Sequence, residues 1–290
     1  MPLVIVPTPL GNLGDMTLRS IEALRAAELI VAEDTRVTRK LLYALGIVPK
    51  ALWSYREQNA AAVTAGILDR AALRPVALVS DAGMPGISDP GSELIAAART
   101  AGVAVDVLPG PSAALGVAVL SGFPLRRFVF EGFPPRSSGA RRSAYLDALR
   151  TQSTTIWYES PQRIRGSMAD LCAVAPDCSV FLVREYTKKY EQQILGTPAE
   201  VIAELADPPR GEVSFAIAPY APPREAAASL DVEVAIEALL SDGVGVADAA
   251  KILAERGFGE RRDLYRRTSA FKARRGMGTK AAAEPTPSHE

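Results

Sequence analysis

The chain has 290 residues, 48% hydrophobic and 23% charged, with 33 basic side chains balanced by 33 acidic ones. This size and balance fit a globular protein of two domains with an appendage, and they exclude a polyanion-binding surface spread over the whole molecule. The one histidine, His289, lies next to the C-terminus, so neither a Ser-His-Asp apparatus nor a histidine-bearing zinc centre is available. Along the chain, short apolar runs alternate with segments of helical period, the rhythm of a parallel sheet covered on both faces. Val4–Val6 is predicted as a strand, and Leu18, Ile21 and Leu24 share a helical face behind a cap at Asp15 or Thr17. There follow a strand at 29–32, a helix at 37–45 closed by Gly46, a strand at 52–55 and a helix at 60–71. Strands at 76–79 and 103–108 flank a helix at 93–98, and an apolar helix runs through Ala118.

A second α/β unit starts near Leu125, with strands predicted at 128–130, 155–158, 180–184, 192–195 and 213–218. Helices centred on Tyr145, Met168 and Val201 separate several of them. The stretch 221–225 reads as a linker to helices at 232–240, 246–255 and 261–272. The expected organisation is therefore 1–122 as a first α/β domain, 123–222 as a second, 228–275 as a basic helical module and 276–290 as a disordered tail. No stretch approaches the roughly 18 uncharged apolar residues of a membrane span. The start, Met-Pro-Leu-Val-Ile, lacks the basic region of a signal peptide, and two cysteines, Cys172 and Cys178, are too few for a disulfide framework. A cytoplasmic location is expected.

The most informative segment is SDAGMPGISDPG (80–91), between an apolar strand and a helix. Its three glycines and two prolines make it a shaped loop at the C-terminal end of a buried strand, where open α/β sheets bind small ligands. Its aspartates disfavour phosphate and suit a ribose hydroxyl or an amino group, so the loop reads as a nucleoside or amino-acid pocket. Four more loops end predicted strands: PTPLGNLG (7–14), EDTR (33–36), LPGPSA (108–113) and YESPQR (158–163). The first is not G-x-G-x-x-G, and its prolines remove amides that a pyrophosphate would use, which disfavours a dinucleotide. By itself that loop reads most simply as a strand-to-helix turn, and the charges at 33–36 as either a solvated helix cap or a substrate-facing cluster.

Together, PTPLGNLGD (7–15), AEDTR (32–36), SDAGMPGISDPG (80–91), LPGPSA (108–113), EGFPPR (131–136), YESPQR (158–163) and REYTKKYE (184–191) carry a resemblance. Over about residues 3–220 the chain resembles the tetrapyrrole methylase superfamily and, within it, the ribosomal RNA small subunit methyltransferase I family. The resemblance implies a two-domain α/β fold with a small C-terminal helical module. It implies S-adenosylmethionine as methyl donor, a 2′-O-methylated cytidine of small-subunit ribosomal RNA as product, and a homodimer without metal. Carried over by position, the cofactor residues are Pro7, Leu10, Asp81, Gly83, Met84, Ser112 and Ala113, with Tyr158 and Arg184 from the second half. No histidine stands near Val37, Arg56 or Gln162, where relatives are expected to carry one, so the chemistry proceeds without it.

Methyl transfer from a sulfonium is an in-line displacement that needs neither metal nor covalent intermediate, and alignment of the hydroxyl supplies much of the acceleration. Glu33, Asp34, Glu185 and a Lys188 of depressed pKa are the candidates for proton removal. Arg36, Arg163 and Lys188 are the candidates for phosphate contacts. Between Lys251 and Arg275, nine basic residues face three acidic ones, a net +6 in a neutral chain. That block, with Arg261, Arg262, Arg266 and Arg267, reads as an RNA-binding surface rather than a solvated helix face. Two other readings share the fold: a carbon methyltransferase of cobalamin or sirohaem synthesis, and a non-catalytic ribosome assembly factor.

Overall fold

A computed structural model describes residues 2–206, 208–220, 224–256 and 258–278. The first half is a five-stranded sheet in the order β3-β2-β4-β1-β5, from β1 (Leu3–Ile5), β2 (Leu29–Ala32), β3 (Leu52–Ser54), β4 (Val76–Val79) and β5 (Val105–Val107). Every pairing in it is parallel. β2 and β4 are buried along their whole length, which is why they read as unbroken apolar runs. Connecting helices α1 (Leu18–Ala26), α2 (Thr35–Ala44), α3 (Ala60–Leu73) and α4 (Ser92–Thr100) cover the sheet. One core lies on each face, around Leu3, Ile5, Val31 and Leu78 on one side and Val6, Ile30, Ala77 and Val79 on the other. Thr17 rather than Asp15 caps α1, its hydroxyl accepting from the Ser20 amide at 3.1 Å.

The second half departs from a purely parallel βα rhythm. Its strands are β6 (Phe128–Gly132), β7 (Thr154–Glu159), β8 (Val180–Arg184), β9 (Gln192–Gly196) and β10 (Val213–Ile217), in the order β6-β7-β10-β8-β9. Only β6 and β7 run parallel, and the other three pairings are antiparallel. Helices α6 (Ser138–Arg150), α7 (Ile164–Val174) and α8 (Pro198–Glu204) complete it. Trp157 fills the core with its ring edge-on to Tyr145 at 5.1 Å and stacked on Phe215 at 6.3 Å. Cys178 is buried in the same core and Cys172 is half-buried on α7, both as free thiols.

The halves are joined through α5 (Ala113–Leu120), which leaves β5 of the first sheet and packs Ala114, Val117 and Ala118 on Ile156, Phe181, Val183 and Ala216 of the second. Helices α9 (Arg224–Ser241), α10 (Val246–Glu255) and α11 (Arg261–Gly278) share a small core of Val232, Ile236, Ala250, Leu253 and Leu264. Helix α9 starts inside the segment read as a linker, of which 221–223 lie outside the described residues. It docks on α6, where Arg142 pairs with Glu237 at 3.6 Å. Residues 276–278, read as part of the tail, continue α11, whereas 279–290, with His289, lie outside the described residues.

Candidate functional site

Because β1, β2, β4 and β5 all point one way, the loops after them emerge along one edge of the first sheet, where α/β sheets bind ligands. Two of these loops are stitched together: Thr8 and Gly83 exchange backbone hydrogen bonds at 2.9 and 3.0 Å, and the Thr8 hydroxyl donates to the Ser80 carbonyl at 3.1 Å. Gly83 has φ +80°, and a Cβ there would lie 3.1 Å from a Leu10 methyl, so both conformation and space favour glycine. Gly110 lies against Pro7, where a Cβ would come within 2.8 Å of the proline Cβ. Pro7 therefore packs the 7–14 loop against the 108–113 loop rather than facing the cleft.

The second sheet contributes its own loops to the same place. The end of β7 carries Tyr158, Glu159 and Ser160, and β6, parallel to it, delivers Phe133. β10 runs antiparallel, with Val213 opposite Glu159 and Ser214 opposite Tyr158, so its beginning lies at this end too. Between the sheets is a cleft of about 390 Å³. Leu10, Met84, Ile87, Phe133 and Tyr158 give it apolar walls, and Glu33, Asp81, Asp89 and Glu212 supply carboxylates, whereas the buried Glu159 carboxylate is turned to Ser167, the Ser160 amide and Arg163. Ser112, Ala113 and Gly83 add backbone and a hydroxyl, and the Tyr158 oxygen is held by the Ala114 amide at 3.0 Å. Phe130 and Phe133 meet the Tyr158 ring edge-on at 4.9 and 5.7 Å. No lysine or arginine is among the described residues lining the cleft.

The acidic wall sets the electrostatics. Burial and the neighbouring Asp81 charge raise the Glu33 pKa, and burial and Asp34 raise that of Asp81, whose carboxylate accepts from the Asp34 amide at 3.0 Å. Asp89 goes furthest, to about 7, through burial and the charges of Glu33, Asp81 and Glu212, against a lowering hydrogen bond from Ser80. Its carboxyl ionises near 4 in the unfolded chain and near 7 in the folded one. Ionising it therefore costs stability that grows as pH rises from about 4 and is complete above about 7. With solvent screening of a half-buried group that cost is about 1 kcal/mol. Asp89→Asn is expected to raise the melting temperature by about 2–4 °C at pH 8 and hardly at all at pH 4. Scanning calorimetry at both values checks this, and an equal gain at both would contradict the burial account.

The cleft lining thus takes in Leu10, Asp81, Gly83, Met84, Ser112, Ala113, Tyr158 and Glu33 of the residues singled out in the sequence. Others lie elsewhere. Arg184 turns to Gln192 at 3.2 Å and to the carbonyls of Arg210 and Tyr190 at 3.1 and 3.3 Å, away from the lining. Asp34 caps α2, accepting from the Arg36 amide at 2.8 Å and pairing with the Arg36 and Arg56 guanidiniums, which hold its carboxyl well below the usual range. Arg36 itself is 81% exposed outside the cleft, so the helix-cap reading describes this pair. Arg163 is turned inward, donating to the Pro134 and Pro135 carbonyls at 2.6 and 3.0 Å and pairing with buried Glu159 at 3.2 Å.

Lys188 packs against Gly11 and donates to Glu185 at 2.9 Å and Glu212 at 3.0 Å. Burial alone would lower its pKa, but these two carboxylates outweigh it and raise the value, so Lys188 is not the depressed-pKa base the sequence admitted. Glu185 is the reverse case: burial is outweighed by Lys188 and the Glu212 amide, and its carboxyl is held below the ordinary range. On α11, Arg261, Arg262 and Arg266 are exposed, Arg266 pairing with Asp263 at 2.6 Å, and Arg267 is half-buried. Sequence reasoning did not single out Ile87, Ser88, Asp89, Phe133, Glu159, Ser160 or Glu212–Ser214. The motifs 80–91, 131–136 and 158–163 contain all of these but Glu212–Ser214, for which no motif carried a signal.

The family model for tetrapyrrole (corrin/porphyrin) methylases matches residues 2–202. Among curated proteins the chain is 43% identical to a ribosomal RNA small subunit methyltransferase I of Halalkalibacterium halodurans, over 69% of this chain and 69% of the relative. It is 37% identical to the protein of that name in Synechocystis sp., over 93% and 98%, and 36% identical to that of Streptococcus pyogenes serotype M1, over 91% and 93%. Among solved structures, diphthine synthase superposes with a TM-score of 0.58 at 15% identity, covering 75% of this chain and 90% of that one. Cobalt precorrin-4 methyltransferase gives 0.56 at 15% identity, covering 75% and 94%, and these two likenesses concern the fold alone. The chain is a member of the tetrapyrrole methylase family and, within it, of the ribosomal RNA small subunit methyltransferase I family.

Proposed function

We propose that this protein is an S-adenosylmethionine-dependent methyltransferase that acts on the ribose 2′-hydroxyl of a cytidine in small-subunit ribosomal RNA. The observation that carries the reading is the cleft between the sheets: apolar walls, several carboxylates and no basic side chain among its described lining. That donor set fits a cationic sulfonium nucleoside and disfavours a phosphate-bearing cofactor. Leu10, Gly83, Met84, Ser112, Ala113 and Tyr158 would enclose the cofactor, and Asp81 would accept from its ribose hydroxyls or amino group. When bound, S-adenosylmethionine supplies an electrophilic methyl group.

The work of this chain's own residues is alignment and proton removal. Phe133 and Tyr158 line the cleft, and Phe130 buttresses the Tyr158 ring edge-on from behind. Asp89, titrating at about 7, would take the 2′-hydroxyl proton as the oxygen–methyl bond forms and the methyl–sulfur bond breaks, the sulfur leaving as the neutral thioether, and a carboxylate poised near the working pH suits that role. Glu33, raised in the same wall, keeps Asp89 from ionising earlier. Arg163 acts through position, holding the 134–135 backbone beside Phe133.

Helix α11 carries the exposed arginines of the +6 block, and a polyanionic substrate gives that block a use that a small macrocycle does not. No described helix is long and apolar enough to cross a membrane, and among the described residues no group of acids, cysteines and histidine assembles as a metal site. The protein is read as a cytoplasmic homodimer, and Leu115 and Val119, exposed one turn apart on α5, offer an apolar patch for the second copy.

Incubating the protein with labelled S-adenosylmethionine and either small ribosomal subunits or a precorrin tests the reading. Label in the subunits is expected, and label in the macrocycle would overturn it. Neutralising Arg261, Arg262, Arg266 and Arg267 together should leave cofactor affinity unchanged and weaken subunit binding. The slope of log affinity against log salt should become shallower by up to about one unit for each phosphate that the variant no longer neutralises. Unchanged affinity of the quadruple variant across a salt series would remove α11 from the RNA interface.

A further inference from the structure

Strand β6 ends in an irregularity that aims one side chain at the cleft. Its register against β7 slips between Phe130 and Gly132, and Gly132 takes φ +72°, a left-handed conformation that suits glycine. A bulge of this kind re-aims the side chain that follows it. The residue delivered is Phe133, which lines the cleft yet stays 54% exposed. The chain beyond the ring is then fixed. Pro134 and Pro135 stiffen it, Arg163 donates to both of their carbonyls, and Arg141 donates to the carbonyls of Pro135 and Arg136. Each guanidinium is itself paired with a buried carboxylate, Arg163 with Glu159 and Arg141 with Asp170. A ring held this firmly and left half in water serves a ligand rather than the protein's own core.

The place of the ring in the cleft says which ligand. Gly132 lies beside Ser88, whose hydroxyl oxygen would be 3.7 Å from a Cβ added at Gly132, and Ser88 precedes Asp89 in the same wall. Phe133 also meets the Tyr158 ring at 5.7 Å, with the ring planes 66° apart. Resting on the methyl-transfer reading above, we propose that Phe133 is the platform on which the base of the acceptor nucleotide stacks, holding its ribose hydroxyl toward Asp89. Apart from Tyr158, the residues assigned to the cofactor come from loops of the first sheet, whereas Phe133 enters from the second, where Gly132 meets Ser88. With no lysine or arginine among its described lining, the cleft does not grip the acceptor by its phosphates, and an aromatic face is the grip it offers. A base that has left its own stack loses its neighbours, and the phenyl face replaces them. Stacking of this kind tolerates any base, so Phe133 supplies alignment rather than sequence choice.

The test compares Phe133→Leu and Phe133→Trp with the wild type in labelled methyl transfer to small ribosomal subunits, beside calorimetric titration of S-adenosylmethionine. Leucine keeps an apolar wall against Tyr158 but has no ring face, whereas tryptophan enlarges that face. Phe133→Leu should lower kcat/KM for the subunits by about 10-fold or more, and Phe133→Trp should stay within about 3-fold of the wild type, the scale set by base–aromatic stacking. Cofactor affinity should be unchanged in both variants, and the melting temperature should move little because the side chain is exposed. Wild-type kcat/KM in Phe133→Leu, an equal loss in Phe133→Trp, or a fall in cofactor affinity that matches the fall in kcat/KM overturns the platform while leaving the methyltransferase assignment standing. A wild type that labels no subunit overturns that assignment and this inference with it.

Discussion

Replacing Asp170 with alanine is expected to cost about 3–5 kcal/mol of folding stability. Asp170 and Arg141 are 5% and 8% exposed, and the carboxylate accepts from Arg141 Nε at 2.7 Å, Arg142 Nε at 3.0 Å and the Ser138 hydroxyl at 2.7 Å. Arg141 in turn donates to the Pro135 and Arg136 carbonyls at 3.2 and 3.1 Å. Removing the carboxylate leaves a buried guanidinium uncompensated, which costs far more than an exposed ion pair is worth. It also loosens the 135–136 carbonyls that Arg141 holds, close to Phe133 of the cleft, so cofactor affinity should fall together with stability. Denaturant unfolding beside calorimetric titration measures both. A loss under about 1 kcal/mol would mean that water already screens the cluster.

The second large effect lies in the cleft itself. Asp81→Ala is expected to weaken S-adenosylmethionine binding by roughly 10- to 100-fold, because a hydrogen bond to a charged group is worth about 1.5–3 kcal/mol. The same carboxylate holds the Asp34 amide at the end of β2, so the variant also loosens the start of α2. Asp81→Asn separates the two roles: its amide oxygen can still accept from Asp34 while the charge is lost. Asparagine should recover stability and leave most of the affinity defect. Calorimetry that finds wild-type affinity in a folded Asp81→Ala would remove this residue from the cofactor site.

The parallel half of the fold is legible in the sequence because its strands are buried on both faces. Leu29–Ala32 and Val76–Val79 carry no polar residue; the charged run 33–36 ends the first, and Pro75 and the glycine- and proline-rich loop 80–91 bracket the second. Once those strands are parallel, their loops must share an edge, which is why Leu10, Asp81, Met84 and Ser112 meet in one cleft. The antiparallel half is harder to read. Nothing local to Glu212–Ser214 announces a ligand, and only the pairing of β10 against β7 brings it beside Tyr158. Arg163 shows a related limit, since a base in a loop next to a motif looks like a phosphate contact until the carbonyls of 134 and 135 are seen to claim it. Lys188 misleads for a physical reason as well: its burial is real, but two carboxylates, one of them distant in sequence, reverse its effect. The perturbed Asp89 depends first on its burial and then on the charges of Glu33, Asp81 and Glu212, all of which only the folded chain assembles.

A methyl group placed on a ribose oxygen of small-subunit RNA by the cleft between the two sheets leaves a product that can be isolated and identified. The most direct measurement is to label small subunits with the protein and radioactive S-adenosylmethionine, digest the RNA to nucleosides and separate them. Label should co-migrate with 2′-O-methylcytidine and should drop sharply with Asp89→Asn, whose side chain cannot take the hydroxyl proton. Label on a base carbon or nitrogen, or full labelling by Asp89→Asn, would contradict this chemistry.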